Sequence, residues 1–234
     1  MHQKLKLALL GLSCGVCYAG TVGAIVEEIP CMKEGLYVGA GIGGAMYNDK
    51  VKAYNTVNLL SREKSFNTNS ALASAFIGLG HTWFDRYFLG LEANTYFPHH
   101  KVEWPDRPAV TATTTTFRNG FLVQNYFNLD LLPGYRVNSN WLVYGRAGFA
   151  FSDLIANQDG SIIANVPSFS FTNTVIGGRF GAGINYQLSQ HIGAGVDYLY
   201  SYNPLTNTSF NDFNAVVGFS SHYNYVGFSL FYTV

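Results

Sequence analysis

The chain has 234 residues, of which 48% are hydrophobic, 16% aromatic and only 12% charged, with 25 glycines and a formal charge of zero. Such a length suits one domain, and so few charges exclude a disordered chain and a basic nucleic-acid binder. The 14 basic residues, less Lys4 and Lys6 in the first segment, leave 12 against 14 acidic ones, so no basic patch is implied.

Residues 1–19 read as a secretory signal peptide. Lys4 and Lys6 form a basic start, Leu7 to Val16 an apolar core, and Cys17-Tyr18-Ala19 a cleavage site. Cys14 and Cys17 leave with it, so Cys31 stands alone and no intrachain disulfide forms. Neither run before those cysteines makes a good lipobox. No later apolar run reaches the ~18 residues of a spanning helix, so a membrane crossing must use a closed barrel. Residues 20–34 read as a periplasmic lead-in without periodicity.

Residues 35–234 alternate at the strand period. Gly35 to Met46 sends Leu36, Val38, Ala40 and Ile42 outward and Tyr37, Gly39, Gly41 and Gly43 inward. Tyr47 to Ser70 is polar and reads as a long loop. Ala71 to Thr82 is the second strand, Trp83-Phe84-Asp85 a tight turn, and Tyr87 to Phe97 the third strand, with Gly90, Glu92 and Asn94 inward. Pro98 to Thr116 reads as a second long loop. His99 and His100 in it stand near Lys101, Glu103 and Asp106, but adjacent histidines on an extended segment point apart. An exposed loop is the reading, and the threonines up to Thr116 make a solvated tip.

The fourth strand, Phe117 to Val137, places Phe121, Val123, Phe127, Leu129, Leu131, Tyr135 and Val137 on one face, opposite Gln124, Tyr126, Asn128, Asp130 and Arg136. Asn125 breaks the apolar face, and Pro133 marks a bulge or a frayed end. Asn138-Ser139-Asn140 turns into Trp141 to Ser152, with Arg146, Gly148 and Ala150 inward. Asp153 to Thr172 is the third long loop. Then Ile176, Phe180, Ala182, Ile184, Tyr186 and Leu188 face away from Val175, Gly177, Arg179, Gly181, Gly183, Asn185 and Gln187. After Ser189-Gln190-His191, Ile192, Ala194, Val196, Tyr198 and Tyr200 oppose Gly193, Gly195, Asp197 and Ser201. A fourth loop spans Tyr202 to Phe213. The last strand alternates through Val226, Phe228, Leu230 and Tyr232 to Val234.

An apolar face rimmed by tyrosine, opposed by glycine with sparse polar groups, is what lipid outside and a narrow lumen inside demand. The fold class is therefore all-β: an eight-stranded antiparallel up-and-down transmembrane β-barrel. Long loops alternate with short turns, which places it in the outer membrane of a Gram-negative cell with both termini in the periplasm.

Gly90-Leu91-Glu92-Ala93, the stretch Leu132-Pro133-Gly134-Tyr135-Arg136-Val137 with Tyr144-Gly145-Arg146-Ala147-Gly148, and the terminal strand carry a resemblance. The chain resembles the small eight-stranded outer-membrane barrels of the OmpA, OmpX and opacity-protein type. The resemblance implies outer-membrane lipid and lipopolysaccharide as surroundings and insertion by the barrel-assembly machinery. It assigns Tyr225, Gly227, Leu230 and Tyr232 to the assembly signal, with Val234 where that family usually ends in Phe or Trp.

Glu92, Asp130, Arg146, Arg179 and Asp197 form the candidate lumen network. An unpaired charge in a narrow lumen is expensive, so these should pair. Taking Ser139 as the centre of its turn sets Gly148 opposite Asp130 and Arg146 one step away on the same face. A selectivity ring in a pore is the alternative, but eight strands enclose little more than side chains. Barrel enzymes such as lipid A deacylases carry His-x-Ser-Asn, whereas this chain has Ser221-His222-Tyr223-Asn224, with Ser221 and His222 on opposite faces. The expectation is a non-enzymatic protein without cofactor or metal. It serves as an interaction, adhesion or structural envelope protein whose surface loops meet a host or surface ligand. The alternative is a small porin-like channel for ions or apolar solutes.

Overall fold

Among the described residues nine strand segments follow one another without a helix: β1 (Gly35–Asn55), β2 (Ser61–Trp83), β3 (Tyr87–Phe97), β4 (His100–Pro105), β5 (Arg118–Arg136), β6 (Trp141–Gln158), β7 (Phe169–Gln187), β8 (Ile192–Phe210) and β9 (Ala215–Thr233). This computed structural model describes residues 32–55, 61–98, 100–105, 118–158, 169–210 and 215–234. The leader, most of the lead-in, His99 and the Thr113–Thr116 run lie outside the described residues. Each strand pairs antiparallel with its neighbours, and a β3–β5 pairing closes the ring. The segments β3 and β4 continue one strand across Pro98, so the barrel has eight strands.

The strands are longer than the alternation alone implied. Residues 47–55 and 61–70 continue β1 and β2 in register up to Tyr54↔Ser61, where a polar loop was expected. The same holds for 100–105, 153–158, 169–172 and 202–210, all strand. A bilayer needs only ~9–11 residues per strand, and among the described residues the large exposed apolar side chains reach up to Met46, Phe97, Phe127, Phe149, Ile176 and Tyr202, with Leu205 beyond them on β8. Polarity thus marks where the strands leave the membrane and does not end them.

Above that belt the wall divides. Pairing of β2 with β3 ends at Ala73↔Phe97 and that of β7 with β8 at Gly178↔Tyr202. Among the described residues, no ladder joins β2 to β4 or continues between β7 and β8 above those pairs. The projecting part is therefore two four-stranded leaves, β2-β1-β9-β8 and β4-β5-β6-β7, facing each other over two seams.

Two local features depart from the simple alternation. In β5 the register against β6 shifts between Asn125 and Phe127, so that Tyr126 is an extra residue. A bulge inverts facing beyond it. Val123, expected on the outer face, is consequently buried opposite Leu154. Pro133 marks neither a bulge nor a frayed end. It faces outward inside β5, and the register is the same on both sides, from Leu131↔Ala147 to Gly134↔Tyr144. Short turns fall where expected. Phe84 and Asp85 both have positive φ (52° and 59°), the backbone of a type I′ hairpin turn.

The core lies inside the barrel, in tiers. Nearest the short turns sits an apolar tier of Met32, Phe88, Leu132, Leu142, Tyr144 and Phe231, with Phe76 against it. A charged layer follows, then an aromatic tier including Tyr47, Tyr96, Tyr223 and Tyr225. Between the two leaves lies a small cap of Val51, Val123, Leu154, Val175 and Phe219.

Candidate functional site: the charged lumen

Strand alternation aims one side chain in two at the lumen, and five charged ones converge there. Glu92 is on β3, Asp130 on β5, Arg146 on β6, Arg179 on β7 and Asp197 on β8. Arg146 is the hub. Its Nη1 donates to Glu92 Oε1 and to Asp130 Oδ2, each at 2.7 Å, and its Nη2 to Asp197 Oδ1 at 3.3 Å. The register that permits this is Asp130↔Gly148. A Cβ on Gly148 would run into Asp130 and the Leu129 carbonyl, so glycine there admits the carboxylate. Gly183 likewise makes room for the Tyr144 hydroxyl.

Arg179, fully buried, donates to Asn94 Oδ1 at 3.0 Å and to the Tyr96 hydroxyl at 3.1 Å. Its Nε stands 3.6 Å from Asp130 Oδ1, an ion pair too long for a hydrogen bond. Asn94 donates to Asp130 Oδ2 at 2.7 Å, and Asn128 donates to Asn94 Oδ1 at 3.0 Å. The Tyr144 hydroxyl donates to Asp197. Arg179 and Asp197 face the same interior without being opposite, since Arg179 pairs with Ser201 and Asp197 with Gly183.

A sixth charge joins the network from outside the strands, where alternation carries no signal. Lys33, in the lead-in, turns into the barrel and sets its Nζ 3.4 Å from Glu92 Oε2. Its partner on the wall, Tyr37, donates to the same oxygen at 3.3 Å. Burial pulls the Lys33 ammonium below the ordinary lysine range, and the Glu92 carboxylate opposes that pull. Lys33, Arg146 and Arg179 thus stand against Glu92, Asp130 and Asp197, a neutral assembly. Nearby, Arg136 donates to the Met32 carbonyl and to Thr82 Oγ1, which holds the lead-in against the wall.

A second polar cluster sits nearer the leaves, and it corrects the expected exposed loop. His100 is buried, donating or accepting at 2.7 Å with Asp49 Oδ2 and stacked on Tyr47 at 3.7 Å. Sequence spacing could not reveal it, because Asp49 and His100 meet across the lumen from β1 and β4. A cavity of about 20 Å³ adjoins it, lined in part by Ser152, Asn203 and Ser221, whose Oγ, Oδ1 and Oγ find no partner among the described residues. That is room for about one water molecule. Ser221 is buried while His222 lies on the other face, 6.1 Å from the Tyr200 ring. Among the described residues no cluster of three His, Cys, Asp or Glu side chains could hold a metal. On β9, Tyr225 and Gly227 face the lumen, and Leu230 and Tyr232 face outward.

The profile of a domain family described as outer membrane protein beta-barrel domain matches residues 26–220. Solved structures similar to the chain include the attachment invasion locus protein Ail of Yersinia pestis, with 13% identity over 83% of this chain and 99% of that one and a TM-score of 0.39. Neisserial surface protein A has 16% identity over 84% and 96%, with a TM-score of 0.38. The outer membrane protease OmpT of Escherichia coli has 11% identity over 89% and 99%, with a TM-score of 0.44. A search of curated protein sequences gives no match.

Proposed function

We propose a function from one premise: the chain belongs to the outer membrane protein beta-barrel domain family and is an outer-membrane barrel of a Gram-negative envelope. It acts as a closed, non-enzymatic scaffold that presents its long-loop end, the two leaves and the segments joining their strands, to a ligand outside the cell. The observation that carries this reading is the lumen: Arg146 bonds three carboxylates, from β3, β5 and β8, in one layer across it. A conducting selectivity ring needs charges that face water and exchange partners, whereas Glu92, Asp130, Arg146 and Arg179 are buried, Asp197 is partly buried, and all are paired with one another.

The projecting leaves supply what an interaction protein needs, an ordered platform beyond the bilayer. Outside the wall the barrel meets outer-membrane lipid and lipopolysaccharide. Tyr225, Gly227, Leu230 and Tyr232 serve the assembly machinery, after removal of the leader at residues 1–19. The non-enzymatic reading is supported by the opposed faces of Ser221 and His222. The test is single-channel recording of the refolded protein in planar bilayers. The expected record is flat; discrete conductance steps would replace this reading with the small-channel one.

A further inference from the structure

We infer that the ring formed by Tyr37, Phe76, Tyr144 and Phe231 on the short-turn side of Glu92 is a binding site for an alkylammonium group, occupied by the chain's own Lys33 as a tethered ligand. The Lys33 Nζ lies 4.7 Å from the Tyr37 centroid, 5.3 Å from Phe76, 5.2 Å from Tyr144 and 4.9 Å from Phe231. These rings come from β1, β2, β6 and β9, so they surround the ammonium across the lumen. All four distances fall within the ~6 Å over which a ring's negative face attracts a cation. The Glu92 carboxylate, almost completely buried, closes one side at 3.4 Å. An aromatic cage with one carboxylate is the chemistry by which proteins recognise organic ammonium ions.

Two further features show that the site is built around a cation and not merely filled by one. Without Lys33 the adjoining layer holds Arg146 and Arg179 against Glu92, Asp130 and Asp197, a net negative charge whose members are buried except for the partly exposed Asp197. The backbone also adopts a costly conformation to deliver the side chain. Lys33 has φ 58°, which a residue with a Cβ rarely takes, and its N–H is held by Thr233 Oγ1 at 3.1 Å. An apolar side chain at this position would fill the space but leave Glu92 short of a counter-charge.

Truncation of Lys33 to alanine removes Cγ, Cδ, Cε and Nζ, the heavy atoms of n-propylammonium. The experiment therefore measures urea unfolding of refolded wild-type, Lys33→Ala and Lys33→Met barrels in detergent micelles. Each is run with n-propylammonium chloride, n-propanol or sodium chloride at equal concentration. Lys33→Ala should unfold at lower urea, and propylammonium should restore most of the lost midpoint by mass action. Propanol and sodium should not, and the wild-type and Lys33→Met barrels, with the cage filled, should not respond. The α-methylene protons of the bound amine should move upfield in the NMR spectrum of Lys33→Ala, because they sit among ring faces. If Lys33→Ala fails to refold, the folded yield with each additive is read in place of the midpoint. Equal rescue by propanol or by sodium, an equal response of Lys33→Met, or an undiminished midpoint in Lys33→Ala would overturn the inference.

Discussion

Arg146 and Asp130 do not carry equal weight, although they bond each other at 2.7 Å. Removing Arg146 strands Glu92, Asp130 and Asp197 around a buried void, with Lys33 and Arg179 left to answer them. Removing Asp130 leaves Arg146 two carboxylates, but it takes from Arg179 the only carboxylate within ion-pair distance among the described residues. Breaking one partner of a buried pair costs on the order of 3–5 kcal/mol. Asp130→Ala should fall near the lower end of that range and Arg146→Ala near the upper. The double variant should cost less than the sum, because Asp130 in Arg146→Ala is already missing its best partner. Urea unfolding in lipid vesicles of both single variants and the double variant checks this. Additive losses would mean that the two charges do not interact in the membrane-embedded protein.

At the scale of the strand, the bulge in β5 is the feature with the sharpest consequence. With Tyr126 unpaired, Val123 points inward and Gln124 is partly exposed, the reverse of an unbroken alternation. In a Cys31→Ser background, a cysteine at Gln124 should react with a water-soluble maleimide in the folded barrel, and one at Val123 should be protected. The opposite pattern would show that the strand keeps its parity. Asn125, polar on an otherwise apolar face, was the visible trace of this bulge, but one residue cannot tell a bulge from an exception. The membrane-spanning halves of the strands were legible because lipid outside and a packed lumen inside impose a strict period of two. The Asp130–Arg146 contact was legible too, since a tight turn fixes register and register fixes neighbours. The projecting halves were not, because above the bilayer both faces of a strand meet water or a partner leaf, and Thr, Asn and Ser serve strand and loop alike. Lys33 was illegible for a different reason. Its position depends on the barrel mouth closing around a segment that has no periodicity of its own.

Over the whole molecule, the pairing pattern sets two levels of stability. In the lower ring every strand has two ladder partners. In the leaves, β2, β4, β7 and β8 each have a free edge above Ala73↔Phe97 and Gly178↔Tyr202 among the described residues. The leaves are held to each other by Val51 and Phe219 against Val123, Leu154 and Val175, and by Asp49 bonding His100 from β1 to β4. Local opening follows such differences in contact and edge exposure. Amide hydrogen exchange should therefore divide the strands near the top of the apolar belt, slow below and faster above, with the break at the same height on all eight. Asp49→Ala removes the polar clasp and leaves the His100 ring nitrogen buried without its acceptor or donor, a loss of about 1–3 kcal/mol. That loss should appear as faster exchange in residues 44–55 and 100–105, while amides near Glu92, Asp130 and Arg146 keep their rates. The lower ring answers to its own ladders and charges, so the two levels should respond separately. Uniform acceleration down to the short turns would mean that the barrel opens as one cooperative unit and that the seams have no mechanical meaning.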